Sequence, residues 1–395
     1  MPYNFDQPID RHNSDSVKYS IFEDTSILPL WVADMDFVSP SPVIEALHER
    51  VAHGVFGYNF DNRSLRELLV KRMADLYGYK ITADDIVWVP GVVTGFNTAI
   101  HAFGRMGEEV LIQPPVYPPF LTTAPNNGLL TKNAPLPYTQ KDSVLSYYFD
   151  ESVFRSAITK GKTSIYLLCN PHNPVGRVWT RDELACMAEI AVENDMLIIS
   201  DEIHCDLLFD NHQHIPTAAL SDKIAQNTIT LMAPSKTFNI AGLAASFAII
   251  QNPAIRQRYS EWVWNAGLHV NILGFTAMHA AYAHGDEWLR EMLAYVQANR
   301  DFATAFVRQY MPQLPITHPE GTYLSWMDAR TVATPPNGAY MNMFEPFFMD
   351  KAKVALNRGL SFGAEGEGFV RINLGTRRDL LQEALERMRS AVADS

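Results

Sequence analysis

The sequence predicts an α/β protein with a mostly parallel sheet buried on both faces, accompanied by a smaller α+β domain. Three observations carry this. Ser164 to Cys169 (SIYLLC) and Met196 to Ile199 (MLII) are unbroken apolar runs, separated by a helix-like stretch from Arg181 to Asn194. Strand, helix, strand with fully apolar strands is the pattern of a parallel sheet covered on both sides. A third run, Ile229 to Ala233, breaks at Pro234. Each run ends in residues capable of chemistry: Asn173 in NPHNPVG, Asp201 in SDEIHCD and Lys236 in APSKTFNIAGL. Ligands of open α/β sheets gather at the carboxyl ends of the strands, so these three residues are expected at one site.

At 395 residues the chain is too long for one simple core. We expect a large domain over 46–285 and a small domain made from 1–45 together with 286–395. The formal charge of −12 argues against nucleic acid or an anionic membrane as a partner. Cys169, Cys186 and Cys205 are an odd number in apolar surroundings, which reads as reduced core cysteines. The N-terminal stretch has no apolar signal region and no segment reaches membrane-spanning length, so a cytoplasmic protein is expected. No G-x-G-x-x-G follows an early strand, which disfavours a nicotinamide site. No metal is expected.

In chain order, an apolar cluster from Ile27 to Val32 precedes Asp34-Met35-Asp36-Phe37, whose acids read as solvated loop or capping groups. From Pro42 the apolar spacing Val43, Ala46, Leu47, Val51 predicts a helix that stops at Gly54. Gly54 to Tyr58 is a glycine-flanked aromatic turn. Ser64 then reads as the cap of a second helix with Leu65, Leu68, Leu69, Met73 and Leu76 on one face. Ile86 to Val89 is a strand, followed by a glycine-bounded turn, PGVVTG, that opens the helix-like FNTAIHAFGRM. Such a turn is a ready anion site because free amides and the helix dipole point the same way. Glu109 to Ile112 is another strand, and 121–160 shows no clear period. Glu287 to Met311 is the longest helical stretch; Gly321 to Met327 and Gly368 to Leu374 read as strands, and a helix begins near Asp379.

Lys236 is the chemical centre of this pattern. A lysine delivered to the end of a buried strand is desolvated, which lowers its pKa and frees its amine to act as a nucleophile or form a Schiff base. Arg371, inside the apolar strand FVRINLG, needs a buried anion.

In order and spacing, NPHNPVG, SDEIHCD, APSKTFNIAGL and FVRINLG resemble the signature of fold-type I pyridoxal-phosphate enzymes, the aspartate aminotransferase superfamily. Within it, WVADMDF, YNF, DEIHCD and KTFNIAGL resemble the MalY/PatB group of cystathionine β-lyases. The resemblance implies a seven-stranded-type sheet, pyridoxal 5′-phosphate as cofactor, and the following roles. Lys236 holds the cofactor as a Schiff base and moves the α-proton. Asp201 pairs with the ring nitrogen, Asn173 bonds the ring oxygen and Tyr117 stacks on the ring. Val93, Thr94 and Ser235 meet the phosphate, as does Tyr58 from the neighbouring subunit of a homodimer. Arg371, with Asn173 and Ala33, holds the substrate. His204 stands where many relatives have a tyrosine facing the ring oxygen, and Ala244 where many have a phosphate-binding arginine; the MalY/PatB group shares both departures.

The implied reaction is α,β-elimination from cystathionine or a related cysteine S-conjugate, a small amino-acid thioether, to a thiol, pyruvate and ammonia. An aminotransferase of neutral or aromatic amino acids is the alternative, since Lys236 serves either route. A regulatory protein that keeps the fold is a third reading, disfavoured by the intact Lys236, Asp201, Asn173 and Arg371.

Overall fold

The computed structural model describes residues 3–59, 61, 63–333 and 343–394. Seven strands form the central sheet: β1 (Ile86–Val89), β2 (Glu109–Ile112), β3 (Leu130–Asn133), β4 (Thr163–Cys169), β5 (Leu197–Asp201), β6 (Thr228–Met232) and β7 (Ser246–Ile249). Their spatial order is β1-β7-β6-β5-β4-β2-β3. All pairings are parallel except those of β7, which runs antiparallel to both β1 and β6. A parallel return needs a long crossover. Between β6 and β7 there are only two single-turn helices, Pro234–Thr237 and Ala241–Leu243, so the chain doubles back. Every residue of β5, β6 and β7 is buried, which explains their predominantly apolar composition, with Ser200, Asp201, Thr228, Thr230 and Ser246 as buried polar exceptions.

A second sheet of six strands contains Asn357–Arg358, Phe369–Asn373, Leu324–Asp328, Ile316–Thr317, Val144–Tyr147 and Tyr138–Lys141, in that order. Its last two strands come from the stretch in which the sequence shows no period. The short strand Leu28–Pro29 pairs in parallel with Val354–Ala355, bringing the start of the chain to its C-terminal part. No helix among the described residues is long and apolar enough to cross a membrane.

Several local expectations need correction. The helix after the aromatic turn runs Arg63–Tyr77, so Ser64 lies in its first turn and is not its cap. Leu65, Leu69 and Met73 are buried as expected, but Leu76 is exposed. The helix Val92–Phe103 starts directly after Gly91 (φ 111°), placing Val93 and Thr94 inside its first turn.

The largest correction concerns the acids of WVADMDF. Asp36 is buried, and its carboxylate accepts from Lys18 Nζ at 2.7 Å and Arg11 Nη1 at 2.5 Å. Asp34 is bound by Arg11 Nη2 at 2.7 Å. Burial pushes the Asp36 pKa up, but Lys18 and then Arg11 outweigh it and hold the carboxyl below its ordinary 3.8. Asp36→Asn leaves the fully buried Lys18 without its nearest charge partner and lowers stability by about 3 kcal/mol, read as a shifted urea midpoint. Because the folded pKa is depressed, the native pair's contribution is present above pH 3.8 and is lost as acid titrates Asp36 below that value.

Candidate active site

Lys236 sits on the turn Pro234–Thr237 that follows β6, with proline at the first helical positions to end the strand. Its amine donates to the Ala33 carbonyl at 2.6 Å. Burial, and next the positive charge of Arg371, lowers the amine's pKa from 10.5 to about 8. One turn of helix cannot hold itself, and neighbours fix it. Thr237 Oγ1 donates to Asp206 at 3.0 Å. The Asn239 amide donates to the Met35 and Phe37 carbonyls at 2.9 and 2.8 Å and accepts the Met35 N–H at 2.9 Å.

Asp201 ends β5, in register with Cys169 at the end of β4. It is buried, and its one side-chain hydrogen bond among the described residues is the Ile203 N–H at 3.1 Å. Burial raises its pKa to about 7, against the pull of the Ile203 amide and Lys236. His204 is also buried, and burial followed by the charges of Lys236 and Arg371 lowers its pKa to about 3, so the ring is neutral near pH 7. Its Nδ1 is buried without a hydrogen-bond partner. Tyr117 precedes the helix Pro118–Asn126; burial raises its pKa, while nearby Arg371 lowers it and Asp201 raises it.

Arg371 lies in the strand Phe369–Asn373. Its Nη1 donates to Asn173 Oδ1 at 3.1 Å, and its Nη2 donates to the Trp31 carbonyl and Asn357 Oδ1, each at 2.7 Å. Burial lowers its pKa to about 10. Two residues along, Asn373 donates to the Val32 and Asp34 carbonyls, both at 2.6 Å. Tyr323 donates its hydroxyl to the same Ala33 oxygen that holds Lys236, at 2.9 Å. The segment 31–35 is therefore strapped across the site by Arg371, Asn373, Tyr323 and Asn239.

The structure thus brings together Lys236, Asp201, Asn173, His204, Tyr117, Ala33 and Arg371. Val93 and Thr94 stand in the first turn of the helix after β1, and Ser235 in the turn after β6. Both turns leave the same end of the sheet, since β7 lies between β1 and β6 with Ser246 opposite Val89 and Phe247 opposite Met232. That helix carries no acid in its first turn, and the first amides of a helix have no intrahelical acceptor, which leaves them available to an anion. Tyr58 is not drawn into the cluster: it is fully exposed, in an open cleft with Phe56, Asn59 and Trp264. Ala244 adopts a left-handed φ of 47°. Sequence reasoning missed Asn357, Tyr323, Asn239 and Asn373. The last three lie in segments it singled out; Asn357 had no signal.

Residues 28–388 match the family described as aminotransferase class I and II. The cystathionine beta-lyase PatB of Bacillus subtilis is 37% identical over 99% of this chain and 100% of its own. Crystal structures of cystalysin from Treponema denticola, which contains pyridoxal 5′-phosphate, and of a PLP-bound C-S lyase from Staphylococcus hominis superpose with TM-scores of 0.92 and 0.89. They are 33% and 31% identical; the first comparison covers all of both chains, the second 99% of this chain and 98% of the other. With the match running from the first strand to the last helix, this chain is a member of the aminotransferase class I and II family.

Proposed function

We propose that this protein is a pyridoxal-phosphate-dependent C–S β-lyase that cleaves cystathionine or a similar cysteine S-conjugate to a thiol, pyruvate and ammonia. One observation carries the reading. Lys236, Asp201 and Arg371 converge, yet none is hydrogen-bonded or ion-paired to another. Each keeps a valence open: an amine for an aldehyde, a carboxylate for a ring N–H, a guanidinium for a substrate carboxylate.

The orphaned groups fit the cofactor. Asp201, a buried acid without a cationic partner, suits a protonated ring nitrogen, and Asn173 and His204 are the residues assigned to the ring oxygen. The amides of Val93 and Thr94 with the Ser235 hydroxyl suit a phosphate. When bound, the cofactor supplies an electron sink for the charge left when an α-proton is removed. The chain's own residues do the rest. Arg371 holds the carboxylate and so fixes which bond at the α-carbon faces Lys236. Lys236, with its pKa near 8, takes that proton at Nζ. Tyr117 covers the ring face, and neutral His204 adds no competing charge. In this reading Tyr58 of a homodimer reaches the phosphate of the neighbouring subunit, which accounts for its exposure here. On the same reading the large domain of 46–285 carries the cofactor, and the small domain assigned to 1–45 and 286–395 supplies Ala33 and Arg371 on the substrate side.

Purified protein supplied with pyridoxal phosphate and cystathionine releases pyruvate without a keto-acid acceptor. Turnover that requires the acceptor would make the protein an aminotransferase and leave the cofactor residues as assigned.

A further inference from the structure

We propose that Asn357 is a positioning residue that orients Arg371 while leaving its charge uncompensated for the substrate's carboxylate; the proposal rests on the assignment of Arg371 to that carboxylate.

Asn357 pairs with Arg371 across antiparallel strands, so their side chains share a face of the second sheet. A guanidinium has five N–H donors. Three are engaged, by Asn173 Oδ1, the Trp31 carbonyl and Asn357 Oδ1, and all three acceptors are neutral. The Phe362 ring lies 4.9 Å from the guanidinium carbon and is neutral as well. No carboxylate of a described residue lies within ion-pair distance. The Nε–H is buried without a partner.

Other buried arginines of this chain are handled differently. Arg72 is bound by Asp206 at 2.8 Å, and Arg300 by Asp210 at 2.5 Å and Asp301 at 2.7 Å. Those cations are neutralised where they stand. A buried cation left without an anion is costly unless a ligand completes it. At position 357 an aspartate would have the same shape as asparagine and the same 2.7 Å reach, but it would occupy the charge that a substrate must use. The amide aims the fork and leaves its charge available.

The test uses holoenzyme with L-alanine, which has no β leaving group, and L-alaninamide, which lacks the carboxylate. Dissociation constants for both are read from the absorption of the bound cofactor. Asn357→Asp weakens L-alanine by about 100-fold, the scale of a lost charge-assisted pair, and alaninamide by less than about threefold. Asn357→Ala, which introduces no charge, weakens L-alanine by about fivefold through lost orientation and spares the amide; it decides the matter if the aspartate variant does not fold. Equal weakening of both ligands, or L-alanine bound to Asn357→Asp as tightly as to the native enzyme, would overturn the proposal. Arg371→Leu separates the two layers. If it leaves L-alanine binding unchanged, the assignment of Arg371 fails and this proposal with it; if it alone abolishes the preference for the carboxylate, only the role of Asn357 fails.

Discussion

Lys236→Ala lowers pyruvate release by roughly 10⁴-fold or more, because the proposed function gives the same amine both the cofactor to hold and the proton to move. Borohydride reduction followed by peptide mass analysis checks the first role. The native protein gives a reduced adduct on the peptide containing Lys236, and the variant gives none. The pH dependence checks the second. An amine attacks only when unprotonated, and Lys236 loses its proton near pH 8 where an ordinary lysine needs about 10.5. The rate of covalent capture of added cofactor therefore climbs with pH up to about 8 and levels off above it. A rate still climbing at pH 10 would mean that burial does not depress this amine.

Asp201→Asn, nearly the same size, lowers kcat on the order of 10³-fold, the scale of removing a preorganised charge from the place where charge develops. The carboxylate is 4% exposed and receives only the Ile203 N–H among the described residues, so it is solvated by neither water nor a resident cation. Such an acid is held at a cost and is neutralised in part, which is what its rise to about 7 expresses. A cationic ring N–H removes that cost; an amide cannot bind it as an anion does. Substrate KM changes little, because Arg371 and Asn173 are untouched. Steady-state kinetics with saturating cofactor make the comparison, and a kcat within tenfold of native would remove Asp201 from the ring nitrogen.

The parts of the fold legible in the sequence are those where burial and chemistry coincide. β4, β5 and β6 are covered on both faces, so their composition is predominantly apolar, and the carboxyl end of each leads into the site. Asp201, Asn173 and Lys236 could be read together for that reason. Where a residue's meaning depends on a remote partner, the sequence is silent. Asp36 looks like any loop acid until Lys18 and Arg11 fold onto it. Asn357 is an unmarked asparagine until strand register sets it opposite Arg371. The strands Val144–Tyr147 and Tyr138–Lys141 are short and partly exposed, and the second pairs at the edge of its sheet, so neither alternation nor a continuous apolar run marks them.

The strap over Lys236 also dictates an order of events at the ribosome. Lys236, Asp201 and Asn173 emerge together from the middle of the chain, and Lys236 and Asn239 already offer bonds to Ala33, Met35 and Phe37. Trp31, Val32 and the second bond to Ala33 gain their fasteners only when Tyr323, Arg371 and Asn373 appear. A nascent chain halted at residue 330 holds the lysine turn and the strand-end acid, with the arginine and the asparagine clamp still untranslated. The stretch around Trp31 and Val32 must wait for nearly the whole polypeptide before its last fasteners arrive, a closure between distant segments that is slow by topology. A truncated translation product is therefore able to build the lysine's floor but not its roof.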